Sequence, residues 1–166
     1  MDDVALANYI AGSHFGNVEA GRVDQLCASL LGVDPSTEIW FSDFTLMKLR
    51  LRHGDINFSH YKHMPSVLLR GFIARGRKAG LIELWWVSPG CGEDAAAYFI
   101  VLKATKRGEV FVETFHRAHL KESRRLHRKA LREGRLVREQ HSVDGYPQPP
   151  KISRVRRGLP VPSLRS

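Results

Sequence analysis

The stretch AYFIVLKATKRGEVFVETFH, residues 97–116, decides how the chain is read. β-Branched and aromatic side chains crowd 98–103 and 110–115, on either side of Lys106-Arg107-Gly108. Such side chains suit a pleated, largely buried surface, and a glycine supplies the positive φ that a tight connection needs. The segment therefore predicts a β-hairpin with polar residues towards its ends: Lys103 and Thr105 on the first strand, Thr114 and His116 on the second. Side chains alternate between faces along a strand, so Thr114 and His116 share one.

Working outward, LIELWWV at 81–87 reads as a strong strand whose Trp85 and Trp86 point to opposite faces. One belongs to the core; the other is placed to stack on a base or to pack beneath a basic helix. Residues 72–74 are a shorter strand candidate, and 38–41 read as a first strand or an extended lead-in. Before them, apolar spacing predicts helices over 4–10 and 17–31, a Ser42-capped helix to about His53, and a helix over 60–69 in which Pro65 either opens a new first turn or produces a kink. The expected fold is α+β: N-terminal helices followed by a three- to four-stranded antiparallel sheet. The chain divides into a helical segment (1–37), an α+β core (38–116), a basic helix (117–141) and a Pro/Arg-rich tail (142–166). That tail lacks the apolar residues to order itself, so it is expected to be extended or disordered when free.

Charge is distributed unevenly. Up to His116 there are 12 Lys and Arg against 13 Asp and Glu; from Arg117 onward there are 14 against 4. A positive excess confined to one segment suits a polyanionic partner. Within it, Arg124, Arg128 and Arg132 form one i, i+4 row, and Lys121, Arg125 and Lys129 the next. Arg124, Arg125, Arg128, Lys129 and Arg132 are the candidate nucleic-acid contacts, with Leu120, Leu126, Ala130 and Leu131 available to anchor the helix. Cys27 and Cys91 are far apart and show no metal-ligand spacing, so neither a disulfide framework nor a zinc site is expected. No signal peptide or membrane-spanning run is visible, which makes the cytoplasm the expected compartment.

No phosphate-binding loop, dinucleotide fingerprint, HExxH, paired CxxC or GxSxG occurs, which argues against the enzyme classes those motifs mark. What remains is polar residues at element ends, including Ser42, Thr45, Lys48, His53, His60, His63, Lys103, Thr114 and His116. If they converge, their chemistry suits phosphodiester cleavage in RNA. The 2′-hydroxyl is the nucleophile, histidines serve as base and acid, and lysines stabilise the phosphorane.

The order WFSDFTLMKLRLRHGDINFSHYKHMPSVLLRGFIARGRK, an apolar strand, then YFIVLKATKRGEVFVETFH resembles the phage-associated branch of the barnase/EndoU/colicin/RelE-like (BECR) nuclease superfamily. The resemblance spans 40–116 and rests on Ser42, Thr45, Lys48, His53, Tyr61, Pro65, Lys103 and Thr114 as spaced positions. It implies a helices-then-antiparallel-sheet fold and RNA cleavage by acid–base chemistry, usually without a metal or cofactor. Lys48, His53, Lys103 and Thr114 are carried over as catalytic, joined by His116. The strands offer no obvious general-base carboxylate apart from Glu113, which favours a His/Lys mechanism. The functional expectation is a metal-independent endoribonuclease of phage or toxin type acting on RNA, with an acidic inhibitor protein as a further partner. The alternative is a non-catalytic nucleic-acid-binding accessory protein on the same scaffold.

Overall fold

The structure, a computed structural model, describes residues 4, 7–8, 11, 16–52, 58–88 and 96–140. The hairpin lies at its centre as β5 (Ala97–Ala104) and β6 (Val110–Ala118), with Gly108 at φ 82° in the turn. β4 (Leu81–Val87) and β3 (Phe72–Arg75) continue the antiparallel meander from β5. The sheet does not stop there. On the far side of β6 lie β2 (Glu38–Phe41) and β1 (Val18–Arg22), and beyond β3 lies β7 (Leu136–Arg138).

The order is β1-β2-β6-β5-β4-β3-β7, with β2 parallel to β6 and every other pair antiparallel. The fold is therefore a seven-stranded mixed sheet, which corrects the three- to four-stranded antiparallel sheet after N-terminal helices. Three strands account for the difference: β2, whose parallel pairing with β6 makes the sheet mixed, and β1 and β7 at its two ends. Residues 17–31 do not form one helix: Gly21 takes φ 147° inside β1, and pairing with β2 outweighs helical spacing there. The helix begins only after Asp24, whose carboxylate accepts from the Cys27 N–H, and runs as α1 (Gln25–Leu31) to Gly32 at φ 72°. At the other end, Gly134 (φ 64°) turns the chain after the basic helix so that β7 can pair with β3.

Between β2 and β3 come α2 (Asp43–Arg52), α3 (Phe58–Tyr61) and α4 (Met64–Arg70). α2 starts as the sequence suggests, with the Thr45 N–H donating to Ser42 Oγ at 3.2 Å. The helix expected over 60–69 is two pieces, because the chain turns at Lys62-His63 before Pro65 enters the first turn of α4. α5 (Leu120–Arg132) is the basic helix. His53, Cys91 and the tail 142–166 lie outside the described residues. Among the described residues, no helix is long and apolar enough to cross a membrane.

The sheet has two different faces. The inner one carries Ile39, Phe41, Ile82, Leu84, Ile100, Leu102, Val112 and Phe115 into the main core, which α1, α2 and α4 close. On the outer one, α5 covers only part, with Ala130 and Leu126 on a small cluster of Phe72, Ala74, Trp85 and Phe99. Trp86 is thus in the main core and Trp85 beneath the basic helix.

The sheet also curls around its inner core. Six strand spacings of about 4.8 Å would hold β1 and β7 about 29 Å apart if it were flat. Yet Arg138 of β7 meets Asp24, two residues past β1, at 3.0 Å.

Candidate nucleic-acid interface

α5 is held by few side chains: Ser123 and Ala130 are buried, Leu126 packs on the outer cluster, and His127 lies edge-on to Phe72 at 4.9 Å. Leu131, expected to face the core, is 42% exposed. The rest of the helix is cationic. Among the described residues, Lys121, Arg124, Arg128, Lys129 and Arg132 make no ion pair, and only Arg125 is matched, by Glu122 at 3.3 Å.

Elsewhere among the described residues, five cations are paired. Arg22 meets Glu19 and Glu38, Arg77 meets Glu133, Arg135 meets Glu83 and Glu133, Arg138 meets Asp24, and Lys48 meets Glu113. Like charges at i, i+4 on α5 (Arg124 with Arg128, Arg128 with Arg132) each cost the helix about 0.2–0.5 kcal/mol.

The helix sits to one side of the outer face. Its His127 flank turns to Phe72 and Glu139, at the β3–β7 end. At the C-terminus, Arg135 ties Glu133 to Glu83 of β4. By helical spacing, Arg125 and Lys129 lie on the flank opposite His127, which faces β5 and β6. There the outer face carries Lys103, Phe111, Thr114 and His116, with Trp40 of β2 opposite Phe111.

The expected catalytic residues divide. Lys103, Thr114 and His116 all stand on this outer face, but spread along it, with Lys103 four residues of β5, about 13 Å, from the level of His116. Thr114 is opposite Val101, and His116 is opposite Phe99, with its ring 4.9 Å from that phenyl ring. Lys48 approaches the edge of β6 from α2, on the inner side. Its Nζ donates to the Glu113 carbonyl at 2.9 Å and lies 3.3 Å from the Glu113 carboxylate. These two residues line an open cleft of about 420 Å³ with Phe44, Met47, Leu51 and Arg52. His53 lies outside the described residues.

What divides the set is a β-bulge. Leu102 pairs with Val112 and Val101 with Thr114, which leaves Glu113 as the extra residue at the edge. Thr45 Oγ1 donates to the Val112 carbonyl at 2.8 Å at the same edge, so Thr45 and Lys48 fasten α2 to β6.

A second ring cluster lies on the inner side. His63 stacks on Tyr98 at 4.4 Å and lies 5.7 Å from Trp86, and His60 is 6.1 Å from Tyr98. Burial, then the neighbouring His60, lowers the His63 pKa, and burial raises that of the Tyr98 phenol. These contacts mark His63 as a packed ring rather than a surface residue. Cys27 is buried, and its thiol is pushed up to about 12, first by burial and then by Asp24, so it is no nucleophile at neutral pH. Among the described residues no group of three His, Cys, Asp or Glu is placed to hold a metal ion.

Sequence reasoning missed Trp40 and Phe111. Each sits between two buried residues (Ile39 and Phe41, Val110 and Val112), and strand alternation turns it to the outer face. The alternation at Val110-Phe111-Val112 was the available signal. Nothing among the family models, the curated proteins or the solved structures matches the chain.

Proposed function

We propose that this protein binds nucleic acid, with α5 as the wall that takes the phosphates. One observation carries the reading: five cations without an ion-pair partner among the described residues are gathered on one thirteen-residue helix, at a cost in repulsion. Binding to RNA and DNA oligonucleotides, followed by fluorescence anisotropy across a salt series, tests it. Affinity falls with salt, and Arg124→Gln/Arg128→Gln/Arg132→Gln flattens the log–log slope by about 0.7–0.9 for each phosphate that is no longer neutralised. A wild-type protein that binds neither polymer, or a triple variant that binds as wild type does, overturns the reading.

RNA cleavage is the second reading, favoured by Lys103, Thr114 and His116 sharing the outer face beside α5. In it His116 takes the 2′-hydroxyl proton and returns a proton to the leaving 5′-oxygen, and Thr114 donates a hydrogen bond to the phosphorane, while Lys103, about 13 Å along β5 from the level of His116, holds a flanking phosphate and Lys48 remains with Glu113 as part of the α2 anchorage. Incubation with RNA in EDTA should yield 2′,3′-cyclic phosphate ends that disappear in His116→Ala. RNA left intact by protein that binds it retires this reading and leaves the first standing.

A further inference from the structure

The part of the outer face that none of the described helices covers has a composition of its own. Register places Trp40 of β2 directly opposite Phe111 of β6, and Phe111 directly opposite Lys103 of β5, so two aromatic rings and an ammonium form one row across three strands. Both rings are partly exposed, and Lys103 is exposed with no ion pair among the described residues. At the β1 end the row meets Glu19, opposite Trp40, which with Glu38 holds Arg22. At the other end stands the Arg125 and Lys129 flank of α5. Apolar rings are thus bordered by Lys103 and the Lys129 flank on one side and by a Glu19-Arg22-Glu38 cluster with one carboxylate in excess on the other.

The geometry points to a single-stranded nucleic acid as the occupant of this row, with unpaired bases stacked on Trp40 and Phe111 and its phosphates held by Lys103 and the α5 flank. The inference rests on the nucleic-acid reading above and adds the part of the polymer that is recognised. Charge complementarity selects the occupant: a polyanion is drawn to the unpaired cations of α5 and to Lys103 rather than to the Glu19-Arg22-Glu38 edge, where one carboxylate is in excess, so its backbone runs beside the helix and its bases reach over the rings. Base faces are apolar and planar and stack on aromatic side chains irrespective of sequence. In a duplex those faces are already stacked on neighbouring pairs, so the same protein meets a duplex through its cations alone.

The test compares a 12-nucleotide single strand, as RNA and as DNA, with a duplex of the same length, using wild type, Trp40→Leu and Phe111→Leu. Each substitution is expected to weaken single-strand binding about 5- to 100-fold and duplex binding less than twofold. The RNA and DNA arms show whether the sugar contributes. A second readout needs no variant. Trp85 and Trp86 are buried, so a quench of wild-type tryptophan emission by a saturating single strand reports on Trp40.

Equal losses for single strand and duplex, no loss for either, or binding without a quench overturn the inference and leave α5 as the phosphate site. A change of oligomeric state in the leucine variants, with single-strand affinity kept, assigns the row to a protein contact instead and also overturns it. Failure of every oligonucleotide to bind wild type overturns the nucleic-acid reading itself.

Discussion

At the scale of single residues, burial decides what a titratable or polar side chain does. His63 is stacked on Tyr98, and its pKa is lowered in the folded protein by burial and by His60. The unfolded chain therefore binds the proton more readily, and stability is lost as pH falls through about 6.5 towards the folded value. Thermal melts from pH 7.5 to 5 should show a decline that is shallower in His63→Phe, which keeps a ring on Tyr98 without the titration; an equal decline would exclude His63 as its source. Thr45 is a second case. Its hydroxyl donates to the Val112 carbonyl and lies 3.1 Å from Ser42 Oγ, at 5% exposure. Thr45→Val keeps the shape and removes the donor, so a loss of about 1–3 kcal/mol is expected in urea unfolding. Ser42 and Thr45 were legible as a helix start because capping is local, whereas the bond from Thr45 to a strand 67 residues away was not.

At the scale of elements, the two best-read pieces were those whose information is local. The hairpin of β5 and β6 follows from β-branched density and a glycine turn, and α5 from its spacing and Gly134. The misread pieces depend on partners. β1 is a strand because β2 lies beside it, and β7 is three residues that gain order only along β3. The bulge at Glu113 is the sharpest instance. Val110 and Val112 point inward, yet so does Phe115, and that shift puts Thr114 and His116 on the outer face while Lys48 stays at the edge. A sequence shows that Thr114 and His116 share a face but not which face it is. The two outward tryptophans separate support from contact: Trp85 is 1% exposed under α5, 5.2 Å from the Phe72 ring, whereas Trp40 is partly exposed. Trp85→Ala should therefore cost about 3–5 kcal/mol and loosen α5, which weakens duplex and single-strand binding together. A Trp85→Ala protein as stable as wild type, by urea unfolding, would show that α5 does not depend on that ring.

At the scale of the whole molecule, the curl of the sheet joins its ends, and Arg138 is the clasp. Its guanidinium bonds Asp24 at 3.0 Å and donates to the Leu68 and Gly71 carbonyls at 3.1 Å each, so it ties β7, the entry to α1 and the end of α4 into one node. The side chain is 13% exposed against 35% for Asp24, so water screens the charge pair in part, and much of its worth lies in the two carbonyls it satisfies. Arg138→Ala strands those carbonyls and should lower stability by about 2–4 kcal/mol in urea unfolding. Asp24→Asn separates the two duties of that carboxylate. Asparagine caps a helix about as well as aspartate, so what is lost is the negative charge facing the Arg138 guanidinium, and the cost should be the smaller of the two. If the sheet ends were not joined, Arg138 would behave as a surface residue, within about 0.5 kcal/mol of wild type on truncation. In the joined molecule the effects of Arg138→Ala and Asp24→Asn must fall short of additive, and a double-mutant cycle that closes to zero would show the ends to be independent.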